Sequence, residues 1–234
     1  MVDFTGGTWR SLIDGSEVGA IPDSEVERWD FDEGSGSTAS NSLTSHDFSL
    51  SGPDWVSSSD YVGGYALDFS GGDTGETSEE VSILSYTNDF SLEVWMEDRG
   101  TENNHIFYQN VDSSDRYALG FQEPEQDIIH AGVFDGSNVL GEREVDLSNY
   151  SGLIHIVHTY DSETEAGEIY VNGDEISEAS SGVSLPANST SGLLMGEDPS
   201  ESGGFDGVLD RPRIFNEVLE KSDIDALYND HPST

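Results

Sequence analysis

Residues 153–176 read LIHIVHTYDSETEAGEIYVNGDEI, and this stretch decides the fold. Its first eight residues, Leu153 to Tyr160, form a nearly continuous apolar run, as expected of a central strand covered on both faces. The following EIYVNGDEI (168–176) reads as a hairpin, because Asn172-Gly173 supplies the two positive φ values of a type I′ turn. Outward from this core the same grammar repeats. FSLEVWM (90–96) places Phe90, Leu92, Val94 and Met96 on one face at period two. HIFYQN (105–110), RYALGF (116–121) and DIIHAGVF (127–134) are each bounded by Gly, Pro, Asp or Ser, and EVERWDF (25–31) stops before Gly34. Only residues 217–228 suggest a helix, with Ile224, Leu227 and Tyr228 as its buried stripe. Many short strands and one terminal helix predict an all-β, two-sheet antiparallel jelly-roll sandwich.

Charge sets the environment. The 234 residues hold 48 Asp and Glu against 8 Lys and Arg, a formal net charge of −40, with Lys221 the single lysine. Such a surface repels itself in dilute buffer. At 1 M salt the Debye length falls to about 3 Å and most of that repulsion is screened. The acids are interspersed with Trp, Ile, Val and Tyr, so the pattern predicts a salt-adapted globular protein rather than a disordered one. Nucleic acid is excluded as a partner, because nothing here could neutralise a run of phosphates. The absence of cysteine excludes disulfides and thiolate metal sites. No apolar run approaches the roughly 20 residues that span a bilayer, so no membrane insertion is expected. The N-terminus lacks a basic segment followed by a long apolar one, so no secretory signal is expected either.

Residues 1–24 differ from the rest. They carry four glycines and Pro22, yet also Trp9, Leu12, Ile13 and Ile21, which a purely solvated tail would not need. They predict an N-terminal arm that attaches the chain to a partner or to other copies of itself, with residues 25–234 as the sandwich domain.

Three segments, in order, resemble the laminin-G-like, concanavalin-A-like jelly-roll superfamily. They are WDFDEGSGSTASNS (29–42), the pair LIHIVHTYD and IYVNGDEI (153–161 and 169–176), and FDGVLDRPRIFNEVLEKSDIDALY (205–228). YALDFSGGD (65–73) and FSLEVWM add weaker matches, and Leu153 stands where the family commonly has Trp. The resemblance implies a structural calcium ion at the sandwich rim. The matching positions are Asp32, Asn41, Asp47 and Asp210, with Asn41 where Asp is common. Calcium takes six to eight oxygens at roughly 2.3–2.6 Å, which loop carboxylates suit; against this stands the reading of these acids as solvated surface.

Related sandwiches include β-glucanases, whose strand motif Glu-x-Asp-x-x-Glu aims two carboxylates into a cleft. The nearest text here, Glu163-Thr164-Glu165-Ala166-Gly167-Glu168, has the wrong central residue and falls in a hairpin loop. No enzymatic activity is expected. His155 and His158, three apart on a strand, point to opposite faces, one to the core and one to the surface. Asn149-Tyr150-Ser151 and Asn188-Ser189-Thr190 are glycan acceptors only in an extracellular setting. Tyr61, Tyr65, Tyr108 and Tyr117 could stack on sugar faces or pack within the sandwich, and sequence does not choose.

The opening TWRSLIDGSEVGAIPDS (8–24) resembles the starts of surface proteins of haloarchaeal tailed viruses. Together these readings imply a non-enzymatic adhesion protein, a virion turret, spike or fibre component at the virion surface or extracellular after lysis. It would be a homo-oligomer held to other virion proteins by its arm, facing a host-surface glycan or glycoprotein. A cellular haloarchaeal carbohydrate-binding protein is the alternative, and a glycan hydrolase with an unrecognised acid pair a further one.

Overall fold

The structure is a computed structural model and describes residues 21–99, 105–112, 115–122, 125–179, 192–196 and 204–232. Two antiparallel sheets face each other. The smaller has eight strands. Its main path runs β14 (Asp174–Glu175), β13 (Ala166–Val171), β12 (Ile154–Asp161), β7 (Phe90–Asp98), β17 (Gly207–Phe215), β5 (Tyr65–Phe69) and β4 (Asp54–Ser57), with β1 (Glu25–Arg28) paired to β17. The larger has nine. It runs β15 (Glu178–Ala179), β11 (Val139–Asp146), β10 (Glu125–Phe134), β9 (Asp115–Gln122), β8 (His105–Asp112), β16 (Leu194–Met195), β6 (Thr74–Thr77), β3 (Phe48–Ser51) and β2 (Thr38–Ala39). Among the described residues one α-helix, α1 (Lys221–Asp230), follows β17.

Alternation along the strands builds the core, as the sequence pattern predicts. Phe90, Leu92, Val94 and Met96 of β7 meet Tyr117 and Leu119 of β9 and Ile129, Ala131 and Val133 of β10 between the sheets. Asn172 and Gly173 take φ values of 52° and 88°, the positive pair that closes the β13–β14 hairpin. The central strand β12 is buried along nearly its whole length. Its two histidines do point to opposite faces. His158 enters the core beside Phe90 and Tyr117. His155 faces outward, but the surface position expected for it is not what is found, because it is fully buried among Trp95, Tyr228 and Glu93.

That burial is the work of α1, which begins four residues later than the sequence suggests. Ten residues are too few for an isolated helix in water. A capping box between Glu220 and Asp223 starts it, and Ile224 and Leu227 pack on Val157, Tyr170 and Phe215 of the smaller sheet's outer face. Each such aliphatic side chain contributes about 1.5–3 kcal/mol. Tyr228 is only half-buried and stacks on Trp95 instead of joining the apolar stripe.

Strand β17 divides its second edge between two neighbours. Residues 207–209 pair with β5, and 213–215 pair with β1. Between them lies a bulge, with Arg211 at φ 42° and Pro212 unable to donate to a ladder. The bulge brings β1, and the loop that follows it, to one rim of the sandwich.

Candidate functional site

At that rim lies an open cleft of about 490 Å³, lined by Glu25, Val26 and Glu27 of β1, Leu43 and Thr44 of the next loop, Ser82 and Ile83, and Asn216 just after β17. Each wall is fixed by local chemistry. Asn216 donates its backbone N–H to the Ser24 carbonyl at 3.0 Å. The 81–83 segment is held from below, where Gln109 exchanges two hydrogen bonds with the Val81 backbone, 2.7 and 3.1 Å. Asn88 donates to the Ser82 carbonyl at 3.1 Å. Leu43, 46% exposed, offers an apolar edge to solvent, and Thr44, Ser82 and Asn216 add polar groups.

The loop 41–47 is built around one carboxylate. Glu27, only 5% exposed, accepts from Asn41 Nδ2 at 2.7 Å, Thr44 Oγ1 at 2.6 Å and His46 Nδ1 at 2.7 Å. Asn41 in turn accepts the Leu43 and Thr44 N–H groups on its Oδ1, both at 2.9 Å, the turn an Asn side chain favours. Its own N–H donates to Asp47 Oδ1 at 2.8 Å. Trp29 Nε1 donates to the His46 carbonyl at 2.7 Å and pins the far end of the loop to the core. Glu25 behaves differently. Burial pushes its carboxyl above the usual range, against the pull of Arg213 and Arg28, and its Oε1 has no hydrogen-bond partner.

The structure divides the four residues expected to bind calcium. Asn41 and Asp47 share the Glu27 loop. Asp210, fully buried, accepts on Oδ2 from the Val62 N–H and from His231 Nε2, each at 2.9 Å. Asp32 is exposed, and its Cβ abuts the Gly63 turn. Among the described residues no three His, Asp or Glu side chains converge to hold a metal ion. Asn41 Oδ1 and Asp47 Oδ1 already accept backbone N–H groups, and Asp210 Oδ2 is taken by Val62 and His231, so this donor set does not fit a calcium ion.

The other sequence candidates are placed as follows. Tyr117 lies in the core, and Tyr108 is buried on the larger sheet's outer face with Ala118 and Leu194. Tyr65 is 37% exposed and Tyr61 half-buried. Glu163 and Glu165 occupy the turn before β13, while Glu168 lies on β13 and holds Arg143 through two bonds of 2.8 and 2.9 Å. Ile21 is 36% exposed; Trp9, Leu12 and Ile13 lie outside the described residues, as does Asn188. Asn149 is exposed on the turn between β11 and β12. No described helix is long and apolar enough to cross a membrane. Glu27 was not singled out from sequence; its place two residues before Trp29 in a period-two strand gave no sign that a loop would close over it.

The model of one family, described as the concanavalin A-like lectin/glucanases superfamily, matches residues 69–225. The chain belongs to that superfamily. No curated protein matches it in sequence. Among solved structures, domain 4 of AbnA, a GH43 extracellular arabinanase from Geobacillus stearothermophilus in complex with arabinotriose, superposes with a TM-score of 0.62 at 15% identity, over 88% of this chain and 98% of that one. Trypanosoma rangeli sialidase in complex with sialic acid gives 0.62 at 16% identity, over 92% of this chain and 35% of the sialidase. The botulinum neurotoxin serotype C1 binding domain gives 0.59 at 14% identity, over 89% of this chain and 52% of that one. This superfamily member thus spans about a third of the sialidase chain but nearly all of the arabinanase domain, and at these identities the likeness is one of fold.

Proposed function

We propose that this chain is a non-enzymatic recognition module that binds a glycan at its rim cleft. One observation carries the reading: an open cleft presents Thr44, Ser82 and Asn216 beside the exposed Leu43, the mix of hydroxyl or amide groups and apolar edge that a sugar ring requires. The arabinanase domain and the neurotoxin binding domain share its fold. Catalysis is disfavoured by the state of Glu27, one of the two cleft carboxylates. Glycoside hydrolysis needs one available acid and one available base or nucleophile, and Glu27 is engaged on both of its oxygens by three donors of its own loop.

In its finer form the proposal is a surface component of a salt-adapted system, a virion turret, spike or fibre protein whose residues 1–24 join it to the assembly. The −40 charge and the opening residues support that setting. Titration of arabinotriose and a panel of neutral and acidic oligosaccharides at molar salt tests the binding claim. Saturable binding that Leu43→Asp weakens about tenfold is the expected result. Absence of binding across the panel, or binding indifferent to Leu43→Asp, overturns it.

A further inference from the structure

The geometry points to Glu27 as the organiser of the cleft's recognition loop, doing there what a bound cation would do, so that ligand binding at this rim is independent of calcium. The inference rests on the glycan-binding reading above and adds the residue that positions the site.

The polarity of the loop decides the matter. A calcium site gathers oxygens around a positive centre. Here the centre is negative and the loop's donors converge on it: the Asn41 amide, the Thr44 hydroxyl and the His46 ring N–H, all within 2.6–2.7 Å. A carboxylate offers about four lone-pair positions, and three are filled. Two of the loop's side-chain acceptors are already taken elsewhere, Asn41 Oδ1 by two backbone N–H groups and Asp47 Oδ1 by one. A cation would have to displace these donors one by one and reverse the Asn41 amide.

The same bonds reach the cleft. Thr44 lines it and donates directly to Glu27; Leu43 lines it and hangs from Asn41 Oδ1. Burial of Glu27 makes its three hydrogen bonds strong, since bonds to an ionised partner are worth roughly twice those between neutral groups. Glu27→Gln preserves shape but turns an –NH2 group toward donors. One or two of the three bonds are lost and the loop loosens while the sandwich core, to which Glu27 contributes no apolar packing, stays intact. Glu27 is thus a positioning residue.

The test uses the full chain at molar salt, with arabinotriose and the neutral oligosaccharides above as probes, in EDTA and in millimolar calcium. Amide hydrogen exchange over residues 42–47 is followed in parallel. For the wild type, affinity and exchange are expected to be the same in both buffers. Glu27→Gln is expected to lose about tenfold in affinity and to exchange faster at 42–47, with unchanged near-ultraviolet circular dichroism and no rescue by calcium. Thr44→Val, which removes one bond at the loop surface, shifts both readouts in the same direction by less and serves if Glu27→Gln fails to fold. Weaker binding or faster exchange of the wild type in EDTA overturns the inference, as does Glu27→Gln or Thr44→Val with wild-type exchange. If no glycan binds the wild type at all, the proposed function fails, while the exchange measurements still decide the role of Glu27.

Discussion

Replacing Arg213 by Met strands a buried anion. Glu93 of β7 is fully buried on the sheet face beneath α1. It accepts from Arg213 Nη2 at 2.8 Å, from Arg213 Nε, and from the His155 ring nitrogen at 3.0 Å. Burial alone would raise its pKa; the Arg213 charge and the His155 hydrogen bond outweigh that and hold it well below the usual carboxylate range. Arg213→Met removes two charge-assisted bonds and leaves His155 as the single donor. Removing one partner of a buried pair costs about 3–5 kcal/mol, and His155 recovers part of this by taking a proton, so a loss of about 3 kcal/mol is expected. In a domain of this size that lowers Tm by about 6–12 °C. The paired change Glu93→Leu with Arg213→Met removes the buried anion together with its cation and leaves Glu25 to Arg28, and buried pairs replaced by apolar residues are often neutral or better. The double variant should return to within ~1 kcal/mol of wild type. Urea denaturation at molar salt, followed by Trp fluorescence, measures both; salt does little to a pair so deeply buried. A single variant within ~1 kcal/mol of wild type, or a double variant worse than Arg213→Met, would refute the reasoning.

Acid should destabilise the fold through His158. Burial depresses its pKa from 6.5 to about 3, so below pH 6.5 the unfolded chain binds a proton that the folded chain refuses. Stability is complete above the unfolded pKa and is lost as pH falls toward 3, at up to ~1.4 kcal/mol per unit. His158→Gln should flatten that part of the pH–stability curve in denaturant titrations; an unchanged slope excludes His158 as its source. Salt should act in the opposite sense. With −40 charges to screen, the melting temperature should climb steeply from low to molar KCl, and a flat profile would remove the case for salt adaptation.

Much of the fold was legible because the residues that carry it act locally. Period-two alternation in FSLEVWM sorts core from surface by the pleat alone, and Asn172-Gly173 fixes a turn from two residues. The helix was legible in outline, but its start depends on the Glu220–Asp223 capping box, and two of its partners, Val157 and Tyr170, lie more than 50 residues away in sequence. The cleft was hardly legible. Sequence similarity points to calcium at Asp32, Asn41, Asp47 and Asp210, but carboxylates on loops look alike in sequence, whichever way the neighbouring amides and hydroxyls point. The structure turns Asp210 inward to His231 and Val62 and gives Asn41 to Glu27.

The sequence by itself determined an all-β sandwich, its principal strands, its central hairpin, its acidic surface and its lack of disulfides, since each follows from composition or from contacts between near neighbours. Only the tertiary structure decided which polar groups are buried. Glu93, His155 and Arg213 come from three strands, and only the closing of α1 over them excludes water from the network they form. Glu27 becomes the hub of a loop 14–19 residues further on because the Trp29–Asn41 bridge folds that loop back onto β1. Burial and hydrogen-bond polarity arise from segments distant in sequence, and those two properties separate a carboxylate that organises a site from the many that merely face the solvent.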